Sequence, residues 1–416
     1  MSKKLVLLFY GSGANDAIRG LMNEYSDALT SIGMSIVTIE AQEGEWRHAV
    51  DLISQGKVGF AVTWVGIGQD IAVTVGPERT TTNLWEQFRI PLLKLHGDLP
   101  AYYSSRHGDT PSTSVNLYHA QEFAHFRRRW MPEMRALSAV LPPLPLSPAD
   151  RGTLDLSKRR SGKIVFLKNG NSPLELRRLW NERLPHSIAA LVGALADEIT
   201  PVALKPGLLH IGDFVGDFLS SNRIDPDTMR DMVLFMTAQA DDYLRRIKSQ
   251  MIAEAILDLP VIIQGGHWDH VDFGNRKAQR VDGQDFAATN RVYADQLGII
   301  DMSPNVDTWP HDRAQRAAGH FSTLLTNRQG WIAEGFPGFD ELTFEFNPES
   351  IRDRVNDAIG HPDRYLELGV GFGDRFRELH TRDAFANRIV DMAELAAFRC
   401  GTERPMIQSF FEWPRR

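Results

Sequence analysis

Short apolar runs alternate with amphipathic stretches over the first hundred residues, and most of the apolar runs close on glycine or a polar turn. Leu5–Tyr10 ends at Gly11-Ser12-Gly13, Asn15–Ile32 carries apolar positions at helical spacing up to Gly33, and Met34–Ile39 is rich in β-branched residues. Glu45–Gln55 again has helical spacing and stops at Gly56. Val58–Val65 is mostly apolar, and Ile90–Leu95 leads into His96-Gly97-Asp98-Leu99-Pro100. Strands apolar on both faces, alternating with helices of this length, predict βαβ units and a parallel sheet covered on both sides.

The pattern breaks between Leu141 and Lys163. Pro142, Pro143, Pro145 and Pro148 stand close together there, ahead of the polar stretch Ser157–Gly162. Proline disrupts regular elements, so this stretch predicts a linker. The βαβ rhythm then restarts with a strand at Lys163–Leu167, and later strands are predicted at Leu259–Gln264, Gly298–Met302 and Ser322–Thr326. Between them, Leu174–Leu257 is dominantly helical and too long for one crossover helix. It predicts a helical insertion centred on residues 185–255. Helices are predicted over Pro348–Ile359, Pro362–Leu379 and Arg382–Phe398. The expected division is therefore 1–155 and 156–399, with the aromatic end 400–416 packing back onto the first domain.

Composition agrees with two packed domains: 416 residues, 43% hydrophobic and 24% charged. A net charge of −7 and a pI near 6.0 argue against a nucleic-acid partner, which needs a basic face to displace counterions. The basic runs Arg127–Arg129 and Lys158–Arg160 read as solvated faces. Cys400 is the single cysteine, so no intramolecular disulfide forms and a cysteine metal site is not expected. No apolar run approaches the ~18 residues of a membrane span, and the N-terminal run reads as a strand rather than a signal peptide. The expected location is cytoplasmic.

In parallel sheets ligands bind beyond the carboxyl ends of the strands, and four such loops carry chemistry. Gly11-Ser12-Gly13 offers backbone amides to an anion, or is a plain tight turn. His96 and Asp98 offer a general base, against the reading of a half-buried His and a capping Asp. Gln264-Gly265-Gly266-His267-Trp268 combines close backbone approach with an indole for stacking a nucleobase. Its spacing of His267, Asp269, His270 and Asp272 does not suit a metal. The fourth loop, Asp301–Arg313, holds Asn305, His311 and Asp312 and precedes a helix predicted over Ala314–His320. An Arg at a helix N-terminus suits a diphosphate, while a solvated Arg313 or one paired with an acidic neighbour is the structural alternative.

Here the chain resembles a known family. His311-Asp312-Arg313-Ala314-Gln315-Arg316-Ala317 followed by Thr323-Leu324-Leu325-Thr326-Asn327 is similar to the donor-binding region of bacterial glycosyltransferases with two Rossmann-like domains, the GT-B fold, in the spore-maturation and flagellin-modification branch. Glu334-Gly335-Phe336, His361-Pro362-Asp363-Arg364 and His380-Thr381-Arg382 resemble its later segments. Lys168-Asn169-Gly170, Gly265-Gly266-His267-Trp268, Thr82–Glu86 and Asp98-Leu99-Pro100 resemble its earlier ones. The chain departs where that branch has Asp, His and Gly: it has Asn327, Leu99 and Phe321. Phe321 is not expected to take the φ > 0 conformation open to Gly. Glu334 and Glu341 lie one residue too close for the E-x7-E pair of retaining relatives, and Glu349, at the right distance from Glu341, reads as a helix-start residue.

The resemblance implies an α/β chain with two Rossmann-like domains facing across a cleft and a glycosyltransferase activity of hexosyltransferase type. The donor is a nucleotide-diphosphate sugar held by Arg313, His311, Asp312, Asn305, Gly265, Gly266, His267, Trp268, Lys168, Asn169 and Asn327, with no cofactor and no metal. The acceptor, whether protein, glycan or small molecule, is left open, with Asp98 the first and His96 the second candidate base. Inversion or retention is open too. The alternatives are a non-catalytic nucleotide-sugar or glycan-binding module, and an epimerase or hydrolase on the same fold.

Overall fold

The central strands of each sheet are buried on both faces, which is why they read as unbroken apolar runs. The computed structural model describes residues 5–11, 16–41, 45–75, 77–108, 110–134 and 136–399. In the first unit the chain forms β1 (Leu5–Tyr10), α1 (Asp16–Ser31), β2 (Ser35–Glu40), α2 (Trp46–Ser54) and β3 (Val58–Trp64). A small antiparallel hairpin, β4 (Ala72–Val75) and β5 (Thr80–Asn83), then leads to the short α3 (Leu84–Gln87). β6 (Leu92–His96), β7 (Ser114–Tyr118), α4 (Gln121–Trp130) and β8 (Leu137–Val140) complete the run. The six-stranded sheet has the order β2-β1-β3-β6-β7-β8, with every pairing parallel.

The second unit contains α5 (Leu156–Arg160), β9 (Ile164–Leu167) and four consecutive helices: α6 (Pro173–Arg183), α7 (His186–Ala203), α8 (Ile211–Ser221) and α9 (Arg230–Ile256). β10 (Ile262–Gln264), β11 (Gln279–Val281), α10 (Asn290–Asp295), β12 (Gly298–Ile300), α11 (Asp312–Gly319), β13 (Thr323–Asn327) and α12 (Gly330–Gly335) follow. β14 (Thr343–Phe344), α13 (Pro348–Gly360) and α14 (Pro362–Leu379) end the unit. Its sheet, β11-β10-β9-β12-β13-β14, is also wholly parallel. This is the α/β architecture of two Rossmann-like domains, with a helical insertion in the second.

The last helix, α15 (Arg382–Arg399), returns to the first unit. Phe385 is buried against Tyr25 of α1 with ring centroids 4.9 Å apart, and Arg382 pairs with Glu24 at 2.5 Å. The units therefore part at Leu144/Pro145 and Leu379/His380, not at the expected 155 and 399. Pro145 and Pro148 already belong to the second unit because the chain there is pinned to α11: Leu146 N–H donates to Gln315 O at 3.3 Å and Ala149 N–H to Gly319 O at 2.9 Å. Residues 400–416, expected to pack back on the first domain, lie outside the described residues.

Both basic runs contain a buried arginine, contrary to the solvated reading. Arg127 donates to the carbonyls of Met134 and Ala136. Arg159, 2% exposed, donates to three carbonyls: Ala294 at 2.7 Å, Phe321 at 2.8 Å and His320 at 2.8 Å. A guanidinium carries enough donors in one plane to close several chain ends at once, which a lysine cannot do. Phe321 itself takes φ +54, against expectation. This left-handed backbone costs about 1–2 kcal/mol. It is held by Arg159 on its carbonyl and by the Arg377 guanidinium 4.0 Å above its ring.

Replacing Arg159 by Met keeps the bulk but strands three buried carbonyls. We expect a loss of about 3 kcal/mol in urea unfolding, and an unchanged midpoint would show that the buried guanidinium is dispensable.

Candidate functional site

In the second sheet the strand order reverses between β9 and β12, and ligands of open parallel sheets bind outside the carboxyl ends at this switch point. Lys168 follows β9, and Asp301 follows β12. Asp301 is 1% exposed and accepts from Arg313 Nε at 2.7 Å, while Arg313 Nη2 reaches Met302 O at 3.4 Å. The pair ties the first turn of α11 to the end of its own strand. Burial opposes the Arg313 charge, but the Asp301 and Asp312 carboxylates outweigh it and raise its pKa. Asp312 pairs in turn with His311 Nδ1 at 2.5 Å. Burial favours the neutral acid, yet His311, Arg313 and Arg316 hold the Asp312 carboxyl well below the usual range.

Lys168 has no such partner: its ammonium makes no hydrogen bond or ion pair among the described residues. Burial lowers its pKa, and the nearby Arg313 and Arg245 add to the effect, to about 7. A half-buried lysine beside an arginine and a helix N-terminus is the arrangement that an anion would favour.

The remaining candidates separate into supports and outliers. Asn305, at φ +58, donates to Asp241 Oδ1 at 2.8 Å and accepts from Lys248 Nζ at 2.8 Å. Asn327 is buried and accepts from Ser303 N–H at 2.9 Å, fixing the loop after β12. Ser303, Asn305, Asp307 and Asn327 line a cavity of about 40 Å³ shared with Lys248 and Phe346. Asn169 accepts from Gly266 N–H at 2.9 Å, joining the loops after β9 and β10. Gly265 is needed for that joint, at φ +152, where a Cβ would lie 2.1 Å from Lys168 O.

Trp268 does not offer an open face. It is fully buried, donates from Nε1 to Lys168 O at 2.8 Å, and covers Gly170, where a Cβ would lie 2.1 Å from the indole. The expected nucleobase stacking is therefore replaced by a loop-locking role. His267 is exposed at φ +62, and Asp269 pairs with Arg280 at 2.8 Å.

In the first unit Asp98 is half-buried at the carboxyl edge, after β6. His96 is 1% exposed, bonds Asn116 Oδ1 through Nε2 at 2.9 Å, and stacks on His107 at 3.8 Å. Burial pushes its pKa down to about 3. A neutral imidazole sealed in the core does not reach a substrate, so His96 falls out as the second candidate base. Gly11 ends β1 at the carboxyl edge, and Ser12 and Gly13 lie outside the described residues. Asp301, Arg245 and Lys248, which act on or bond to residues of this edge, were not among the expected site residues. The first sat in view at the end of an apolar run, while the other two lie mid-helix where no spacing singles them out.

No protein-family model matches the chain, and no curated protein matches it in sequence. Solved structures do. An α-glucosyltransferase in complex with UDP and a 13-mer DNA containing an HMU base is 10% identical, with a TM-score of 0.52, covering 94% of this chain and 99% of its own. A DNA-modifying β-glucosyltransferase, solved with and without its substrate uridine diphosphoglucose, is 7% identical, with a TM-score of 0.50, covering 94% and 100%. The chain thus shares the two-domain fold of these glucosyltransferases. Among the described residues no helix is long and apolar enough to cross a membrane.

The lowered pKa of Lys168 has a defined sign. Between pH 7 and 10.5 the unfolded chain keeps a proton that the folded chain has shed, so Lys168 costs stability most fully below pH 7, and the cost fades as pH rises to 10.5. Lys168→Met is expected to stabilise the protein more at pH 6 than at pH 10, by at least about 1 kcal/mol. Urea unfolding of both proteins at the two pH values measures it, and equal gains would restore an ordinary lysine.

Proposed function

We propose that the chain is a metal-independent glycosyltransferase that moves a hexose from a UDP-sugar to an acceptor. The carrying observation is Lys168, without a hydrogen-bond or ion-pair partner among the described residues, close to Arg313 and the start of α11 at the switch point of the second sheet. The leaving diphosphate gains negative charge as the glycosidic bond breaks, and fixed cations with helix amides stabilise it without a metal. The shared fold with two glucosyltransferases, one bound to UDP and one acting on uridine diphosphoglucose, supports uridine as the nucleoside and glucose as the first sugar to try. The motif strings around Arg313 support placing the chain in the spore-maturation and flagellin-modification branch.

Asp98 is the proposed base for an inverting reaction. The two neighbours are an α- and a β-glucosyltransferase, so the fold admits either product configuration. One neighbour is bound to DNA, but the net charge of −7 does not favour a polyanionic acceptor. A protein, glycan or small molecule is the acceptor class proposed.

UDP and UDP-glucose are expected to raise the melting temperature in the presence of a chelator. No shift for any nucleotide diphosphate, or a shift that needs a divalent ion, would count against this reading.

Two variants then separate ligand binding from folding. Lys168→Met removes a cation with no structural partner, so UDP affinity drops roughly 10–100-fold while the melting temperature holds or rises. Arg313→Ala also abandons the buried Asp301 carboxylate, so affinity falls and stability drops by about 3 kcal/mol. If Arg313→Ala loses stability but each folded molecule binds UDP normally, Arg313 is structural only.

A further inference from the structure

We infer that Arg245, on the inserted helix α9, is a third cation on the donor's diphosphate, beside Lys168 and Arg313. The inference rests on the UDP-sugar reading and adds that the insertion itself builds part of the site.

Residues 241, 245, 248, 249 and 252 share one face of an α-helix by their spacing. Contacts fix where that face points. Asp241, 2% exposed, accepts from Asn305 Nδ2 at 2.8 Å, and Lys248 Nζ donates to Asn305 Oδ1 at 2.8 Å. Ser249 Oγ reaches Met302 Sδ at 3.4 Å, and Ile252 is fully buried. The face therefore lies on the loop after β12, where Arg313 Nη2 reaches Met302 O at 3.4 Å. The adjoining side of the same turn reaches the segment after β9, since Arg246 Nη1 donates to Ser172 O at 3.2 Å.

Arg245 stands between these two anchorages and keeps 21% of its side chain exposed, pairing with Asp241 at 2.7 Å. Its charge reaches both neighbouring lysines. Burial is the main cause that lowers Lys168 and Lys248, and Arg245 pushes each further down. The geometry agrees: the helix face that carries Arg245 lies between the segment after β9, reached by Arg246, and the loop after β12, reached by Asp241 and Lys248. A planar fork held there by a buried carboxylate is preorganised for two phosphate oxygens.

Titration calorimetry of the full chain with UDP, UMP and uridine tests this. Arg245→Gln is expected to weaken UDP by about 10–100-fold, UMP by less, and uridine by no more than about twofold, with Arg245→Lys restoring part of the UDP affinity. A role confined to packing would weaken all three ligands together, or none, and either result overturns the inference. Asp241→Asn, which removes the carboxylate but keeps the guanidinium, should retain most UDP selectivity; losing it as Arg245→Gln does would make the ion pair structural and also overturn the inference. A wild-type protein that does not bind UDP overturns the UDP-sugar reading as well. A wild type that binds UDP, weakened by Lys168→Met but not by Arg245→Gln, overturns this inference alone.

Discussion

The buried ion pair between Asp301 and Arg313 organises the second domain's carboxyl edge. A carboxylate 1% exposed cannot be left unpaired without a large penalty, so the pair fixes the first turn of α11 against the end of β12. That fixes the helix N-terminus, and with it the direction of its free amides. Because Arg313 answers Asp301, Lys168 across the switch point is left without a direct ion-pair partner among the described residues.

The loops around the crevice are locked by contacts that tolerate little change. Trp268 caps Gly170 while its indole N–H holds the carbonyl of Lys168, and Gly265 lets that same carbonyl approach. Lys168 is thus positioned by its backbone while its side chain stays unpaired. His267 and Asn305 sit at positive φ in the adjoining loops, the kind of strain that persists only where surrounding structure over-determines it. Asn305 shows how: Asp241 holds its donor end and Lys248 its acceptor end.

The helical insertion is part of this arrangement rather than an appendage. α9 supplies Asp241, Lys248 and Ser249 to the loop after β12 and Arg246 to the segment before α6. A long helix carrying contacts to two strand-end loops ties the halves of the sheet together where its strand order reverses.

The alternation of apolar runs and helical spacing determined the strand–helix rhythm, the parallel sheets and the helical insertion, because burial on both faces leaves a direct signature in composition. Leu5–Tyr10, Val58–Trp64 and Ile164–Leu167 appear in the fold close to their expected bounds, and α11 starts at Asp312, two residues ahead of the expected Ala314. Short or polar elements escaped: Ser114–Tyr118 is a fully buried strand whose Ser and Asn hide it, and the hairpin strands Ala72–Val75 and Thr80–Asn83 are too short to leave a clear alternation. Tertiary structure alone decided which chemistry-bearing side chains face solvent. His96 and Trp268 look like ligand groups in sequence and are sealed in the core, while Arg159 looks solvated and binds three carbonyls. Arg245 becomes visible only once α9 is laid over the switch point. Residue type and local spacing fix what a side chain can do, but its partners come from segments tens to hundreds of residues away, and only packing brings those together.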